Sequence, residues 1–329
     1  MPDHPPGGGA AYHVPVMVEE ALAYLAPAPG EVFADATLGG GGHSAALAER
    51  ISPGGALYGI DRDVEALETA RERLGRFPDV GVTLVHSRFG DLDSSIDALP
   101  GGESLRFDGV LFDLGVSSHQ LDAERGFSFR RDERLDMRMD ASDPSSMTAA
   151  ELLASAPEAE IARILWEYGD EKWSRRIARR IVERRAQGAP LDTTRQLAEI
   201  VEQSVPRPAW PREIHVATRT FQAVRIAVNC EIEQLQDGLR AAFHRLKPGG
   251  RLVAISYHSI EDRIVKQTFA AWAGRTPSAP GMSPAALLPV TNSNVATLLT
   301  RKPITPRVAE IERNPRARSA KLRALRRDS

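Results

Sequence analysis

The run Asp35-Ala-Thr-Leu-Gly-Gly-Gly-Gly-His43-Ser44 gathers a carboxylate, four glycines, an imidazole and a hydroxyl into one short stretch. It follows the apolar, strand-like Val32–Ala34 and precedes the helix-like Ala45–Arg50. A glycine-rich turn in that setting lets backbone approach a ligand closely and aims unpaired helix N–H groups at it. Roughly twenty residues later Asp61 closes a second apolar run, Ala56–Ile60, where an acid accepts hydrogen bonds from ribose hydroxyls. The turn is not a P-loop, because Thr37 stands at its first glycine and His43 at its lysine. A nicotinamide fingerprint fits loosely, since position 44 is serine. An acid at Asp35 sits badly beside a pyrophosphate and suits an ammonium group, which places S-adenosylmethionine ahead of a dinucleotide.

A fourth apolar run, Phe107-Asp-Gly-Val-Leu-Phe-Asp113, ends on another acid. Ligands of open α/β sheets bind beyond the carboxyl ends of the strands, so Asp113 is expected beside the reactive end of the cofactor. The alternative is a turn cap at Asp113, with Ser117 or Ser118 capping a helix. Amine methyltransferases acting on DNA often carry Asp-Pro-Pro-Tyr at this place; this chain does not. A fifth run ends in Ser256-Tyr-His-Ser-Ile-Glu-Asp-Arg263. Ser259 and Asp262 read there as a capping box. His258 faces the same crevice, to orient or deprotonate a substrate group or to bond backbone.

Positioning these residues requires strands at Val32–Ala36, Ala56–Ile60, Val82–His86, Gly109–Leu114 and Arg251–Tyr257, most of them separated by helical patterns. That alternation predicts a parallel sheet covered on both faces. Residues 121–212 hold helical patterns and no convincing strand, too long a stretch for a crossover. They predict a helical insertion, a substrate-recognition domain interrupting a sheet domain of residues 13–120 and 213–329. Residues 1–12, rich in Gly and Pro, read as a disordered lead. A single helix is expected over His215–Leu246, stopped by Lys247-Pro-Gly-Gly250. At about 100° per residue Phe221, Val224, Val228, Ile232, Leu235 and Leu239 share one arc. Arg219, Gln222, Arg225 and Asn229 share the adjacent one, either a cleft lining or a solvated flank.

The chain has 329 residues, with 42% hydrophobic and 26% charged, enough for a packed core. Its net charge of −2 argues against a uniformly basic nucleic-acid coat and leaves room for local patches. One cysteine, Cys230, excludes an internal disulfide and a Cys-based zinc site; no metal is expected, and a reducing cytoplasm is. No membrane-length apolar segment or signal region is seen. Two basic clusters suit RNA: Lys172 to Arg185 with Trp166, Tyr168 and Trp173, and the tail Arg313–Arg327, the denser of the two. A solvated helix face is the ordinary alternative for the first.

Eight segments together carry a resemblance: His13-Val-Pro-Val-Met17 with Glu19, Asp35–Ser44, Phe107–Asp122, Arg125–Phe129, Leu135–Asp140, Ala217–Gln222, Val253–Lys266 and Asn314–Arg323. In order and over nearly the whole chain they resemble the RsmH (MraW) family, bacterial enzymes that methylate N4 of a cytidine in the decoding centre of 16S ribosomal RNA. The resemblance implies an α/β fold with a Rossmann-like class I methyltransferase sheet and an inserted helical domain. It implies S-adenosylmethionine bound by Gly41, Gly42, His43, Asp61, Phe89, Asp113 and Gln120. Gly41–His43 would face the methionine end, Asp61 the ribose and Phe89 the adenine, with Asp113 and Gln120 after the fourth strand. Asp113 or His258 would polarise the amine. The partner would be the small ribosomal subunit, met by a monomer or a homodimer. Val216, His119 and Tyr257 depart from the family's usual proline, proline and phenylalanine. A nicotinamide dehydrogenase, a small-molecule methyltransferase, a methyltransferase on another RNA and a non-catalytic assembly factor are the rival readings.

Overall fold

A computed structural model describes residues 15–115, 125–143, 146–275 and 295–328. Its centre is a seven-stranded sheet in the order β3-β2-β1-β4-β5-β7-β6. The strands are β1 Val32–Asp35, β2 Ala56–Asp61, β3 Gly81–His86, β4 Phe107–Asp113, β5 Leu246–Ser256, β6 Ala296–Leu298 and β7 Lys321–Arg327. The first five are parallel, and β7 runs antiparallel to both β5 and β6. Chain order therefore reverses between β1 and β4, and a crevice opens there beyond the strand ends. Asp35 and Asp113 are the last residues of those two strands. The expected α/β class and the five expected strands are present.

Helices cover both faces. On one lie α1 Val18–Leu25, α2 Gly42–Ile51 and α3 Val64–Leu74, whose Leu22, Leu47 and Leu67 pack with Phe33 and Leu57. Phe107, Phe112, Leu235, Leu239 and Phe269 fill the other, with Leu92 and Ile96 of α4, Leu92–Asp97. Gly109 on β4 is obligatory, because a Cβ there would stand 2.4 Å from the Phe33 ring of β1. No helix among the described residues is long and apolar enough to cross a membrane.

The insertion forms α5 Ala149–Ser155, α6 Glu158–Gly169, α7 Ser174–Ala186 and α8 Thr194–Ser204. These share a separate core that includes Leu153, Ile161, Leu165, Ile177, Ile181, Leu197 and Val201. Thr148 with Glu151 and Thr193 with Gln196 close capping boxes at the starts of α5 and α8, satisfying amides that a helix start leaves open.

The expected helix over His215–Leu246 is two helices, α9 Thr218–Asn229 and α10 Glu231–Arg245. Cys230 between them is left-handed, with φ 50° and ψ 39°. The apolar arc is real, but two cores divide it. Phe221 and Val224 pack into the helical lobe, whereas Leu235 and Leu239 cover the sheet. The break turns one stripe toward two partners, α9 toward the helical core and α10 toward the sheet.

The basic tail also departs from expectation. Lys321–Arg327 is an internal strand hydrogen-bonded on both edges, with Leu322, Ala324 and Leu325 fully buried. Arg323 Nε donates to Asp262 Oδ1 at 2.7 Å. Arg327 Nη1 donates to the carbonyls of Phe243, His244 and Leu246. The strand's apolar residues do not alternate strictly with the cations: residues 322–325 are all buried, Arg323 among them against Asp262, so the period of two that marks a strand is missing from the sequence. Strand β6 had no signal in the reading of apolar runs.

Candidate active site

Beyond β1 the chain turns tightly: Gly41 N–H donates to the Leu38 carbonyl, and Leu38 N–H to that of Ile60 on β2. Gly39 and Gly41 have φ of 50° and 73°, a region glycine enters without strain. A Cβ on Gly41 would also stand 3.1 Å from Ala70 of α3. Gly42, the first residue of α2, leaves only 3.0 Å between its Cβ position and the Pro15 ring. The loop is thus pressed between α3 and the segment before α1.

Asp61 ends β2 facing this loop. Its Oδ2 accepts from Gly39 N–H at 2.8 Å and its Oδ1 from Asp63 N–H at 2.9 Å. Burial nevertheless outweighs those bonds and pushes its carboxyl up to about 6. Phe89 lies in the short turn after β3, edge-on to Phe112 with centroids 6.0 Å apart. It is backed by α10, where a Cβ on Gly238 would stand 2.8 Å from its ring.

His43, Asp35 and Asp113 meet at the switch point. His43 Nε2 lies 2.9 Å from the Val16 carbonyl, an acceptor only, so this nitrogen carries a hydrogen. Its Nδ1 lies 3.5 Å from Asp113 Oδ2. Asp35 accepts from Ser44 Oγ at 2.7 Å and from Thr37 N–H at 3.2 Å. Asp113 N–H donates to Thr37 Oγ1 at 2.6 Å, tying β4 to the loop. Burial raises both carboxyls and His43 opposes the rise.

A model of the MraW methylase family matches residues 10–328. The chain belongs to that family. It is 50% identical over 318 residues to the ribosomal RNA small subunit methyltransferase H of Pelobacter propionicus, covering 95% of this chain and 97% of that one. Identity is 48% over 320 residues to the protein of the same name from Symbiobacterium thermophilum, covering 96% of each. An rRNA methylase structure from Streptococcus thermophilus aligns with 96% of this chain and 99% of its own, at 12% identity and TM-score 0.43.

For this methylase, S-adenosylmethionine is the methyl donor, and the residues at the switch point suit it. The Asp61 carboxylate keeps acceptor capacity for a ribose diol. Asp35 and Asp113 bring negative charge to the end where ammonium and sulfonium charge would lie. Gly41, Gly42, His43, Asp61 and Asp113 lie at the carboxyl ends of β2 and β4 or on the loop and helix start after β1, with Phe89 just past the end of β3. Gln120 lies outside the described residues, as do Ser117, Ser118 and His119.

His258 takes the backbone-bonding alternative. It is the N-cap of α11, Ser259–Trp272, and forms the capping box with Glu261 that Ser259 and Asp262 were expected to form. Its Nδ1 accepts from Glu261 N–H at 3.5 Å, and Glu261 Oε2 accepts from the peptide N–H groups of Tyr257 and His258. Its Nε2 lies 2.9 Å from Glu261 Oε1, out of line for a hydrogen bond. The cap stands one residue before Ser259, although Ser is the commoner cap. Asp262 instead pairs with Arg323 and Lys321.

The polar arc of α9 divides: Arg219 is exposed, as a solvated flank would be, and the other three residues are not. Arg225 donates twice to Glu231 at 2.8 Å across the Cys230 break. Asn229 clasps the backbone of Met137 and Met139, and Gln222 donates to the Tyr168 carbonyl. These bonds form an internal seam between the lobes. Glu231, His258 and Glu261 bring oxygen and nitrogen atoms within 4.8 Å of one another there, where Arg225 supplies the positive charge. Tyr257, whose hydroxyl donates to Asp113 Oδ1 at 2.7 Å, was passed over in the sequence, where it marked only a departure from the family.

Proposed function

We propose that the chain methylates N4 of a cytidine in the decoding centre of 16S ribosomal RNA, in the cytoplasm, with the helical lobe reading the RNA. The observation that carries the reading is near-full-length identity of about half to ribosomal RNA small subunit methyltransferases, joined to an acid, Asp113, at the strand end beside the donor loop. S-Adenosylmethionine supplies a methyl group on a positively charged sulfur, open to in-line attack by nitrogen.

Cytosine's exocyclic amine is a weak nucleophile because its lone pair is delocalised into the ring. Asp113 holds a carboxylate where an amine N–H can donate to it, which turns the nitrogen toward the methyl group and takes up its proton as charge moves to the base. Water excluded by the closely packed loop favours a transfer in which sulfonium charge disappears. His258 holds the start of α11 and, through Glu261, the backbone of Tyr257.

RNA affinity is assigned to α7. Lys172, Arg175, Arg176 and Arg179 are exposed on or just before its outward arc and have no acidic partner among the described residues. Trp166 on neighbouring α6 is 58% exposed. Free guanidinium groups neutralise phosphates, and an exposed indole stacks on an unpaired base. The target cytidine must leave its stack to reach the crevice.

The deciding experiment transfers label from methyl-labelled S-adenosylmethionine to undermethylated small ribosomal subunits, followed by nucleoside analysis. Label in N4-methylcytidine is expected. Label in another nucleoside would overturn the N4 assignment; donor binding without transfer would overturn the substrate.

A further inference from the structure

We propose that Tyr257 is a positioning residue for methyl transfer: its hydroxyl fixes the Asp113 carboxylate and keeps it an acceptor. The inference rests on reading Asp113 as the group that meets the amine.

Asp113 lies between His43 and Tyr257. His43 Nε2 lies 2.9 Å from the Val16 carbonyl and its Nδ1 3.5 Å from Asp113 Oδ2. Only the ionised carboxyl of Asp113 can take up a proton from an amine. Burial favours its protonated form. Among the described residues, the other charged groups turned toward Asp113 or Tyr257 are Asp35 from β1, Glu261 from α11 and Glu310 from α12, Val308–Arg313. All three are acids; Glu261 pushes both groups up and Glu310 acts on Tyr257.

Against them stands the Tyr257 hydroxyl, 2.7 Å from Asp113 Oδ1. A phenol donates more strongly to a carboxylate than to a carboxylic acid, so it tilts Asp113 toward the ionised form. It also leaves the carboxylate one preferred rotamer, with Oδ1 toward Tyr257 and Oδ2 toward His43. The phenol remains a donor, because burial and then Asp113 hold its own ionisation well above the usual range.

The hydroxyl stands on two rigid supports. Tyr257 N–H donates to Glu261 Oε2 at 2.8 Å inside the α11 capping box. The ring lies over the turn after β4, where a Cβ on Gly115, at φ 94°, would be 3.4 Å from Cδ2. A donor fixed at backbone and ring loses little freedom when it orders the carboxylate.

Tyr257→Phe removes the hydroxyl and keeps the ring on its support. Single-turnover methyl transfer is followed between about pH 5.5 and 9 at saturating donor, with donor affinity measured by calorimetry. The acid limb should move up by about one pH unit, with the high-pH rate largely retained. Donor affinity should stay within about twofold and the melting temperature should fall by no more than a few degrees, since one hydrogen bond and no apolar contact is lost. A limb superimposable on the parent's, or a rate lowered equally at every pH, would overturn the proposal. Asp113→Asn separates the two readings: if it keeps the parent rate and limb, Asp113 is not the acceptor, whatever Tyr257→Phe does.

Discussion

Asp61 accepts two peptide N–H groups and is still held near pH 6 by burial. Ribose hydroxyls donating to it would stabilise the ionised form. Donor affinity should therefore rise with pH through about 6, and binding near that pH should release a fraction of a proton. Calorimetry in buffers of unlike ionisation enthalpy reads this; binding with no proton released would mean the ribose does not use this carboxylate. The stability sign runs the other way in the free protein. A carboxyl raised from 3.8 to about 6 contributes stability present below the unfolded value and lost as pH rises through 6. Asp61→Asn should weaken donor binding by roughly tenfold to a hundredfold, the range for hydrogen bonds to a charged group. The carboxylate at Asp61 was legible because its spacing from the glycines is local. The Tyr257–Asp113 contact was not, since 144 residues separate the partners.

Helix α7 shows how an element presents what its sequence only contains. Ser174, Ile177, Ala178 and Ile181 are buried, and that apolar face turns Arg175, Arg176 and Arg179 outward. Reversing these three charges to Glu should weaken binding to small-subunit RNA and flatten its salt dependence by about one unit per lost phosphate contact. Donor affinity and melting temperature should hold, because the side chains are exposed. An unchanged salt slope would move the RNA contact elsewhere. The period of 3.6 made this helix readable from sequence, but not that residues 321–327 of the second basic cluster are built into the sheet. The same limit explains α9 and α10: their shared stripe obeys one period, and only the left-handed Cys230 shows that it serves two cores.

At the scale of the whole molecule, the lobes are joined beside the donor loop. Arg125 of the insertion pairs with Asp63 at 2.9 Å and Glu65 at 2.7 Å, at the start of α3. Arg62, next to Asp61, reaches the Asn229 carbonyl and Met139 Sδ. The lobe assigned to RNA thus touches the strand end assigned to the ribose. The C-terminal strand binds the fold together in a different way. Deleting residues 321–329 should abolish cooperative folding, followed by circular dichroism and soluble yield, because β5 and β6 lose their common neighbour. A truncated protein that still melted cooperatively and lost only RNA affinity would restore the tail to the surface role its composition suggested.

By itself the sequence determined the strand and helix alternation, the glycine loop and its two acids, and a helical insertion between the fourth and fifth strands. Each is a short-range property of period, spacing or turn chemistry, and a chain carries those wherever it folds. Tertiary structure alone decided that the end of the basic tail, residues 321–327, is an internal strand, that His258 caps a helix and that Tyr257 meets Asp113. Those outcomes depend on which surfaces are left when the sheet closes and on side chains far apart in sequence. Burial then converts the contacts into chemistry: the same carboxyl groups would titrate ordinarily in water and do not where β1 meets β4.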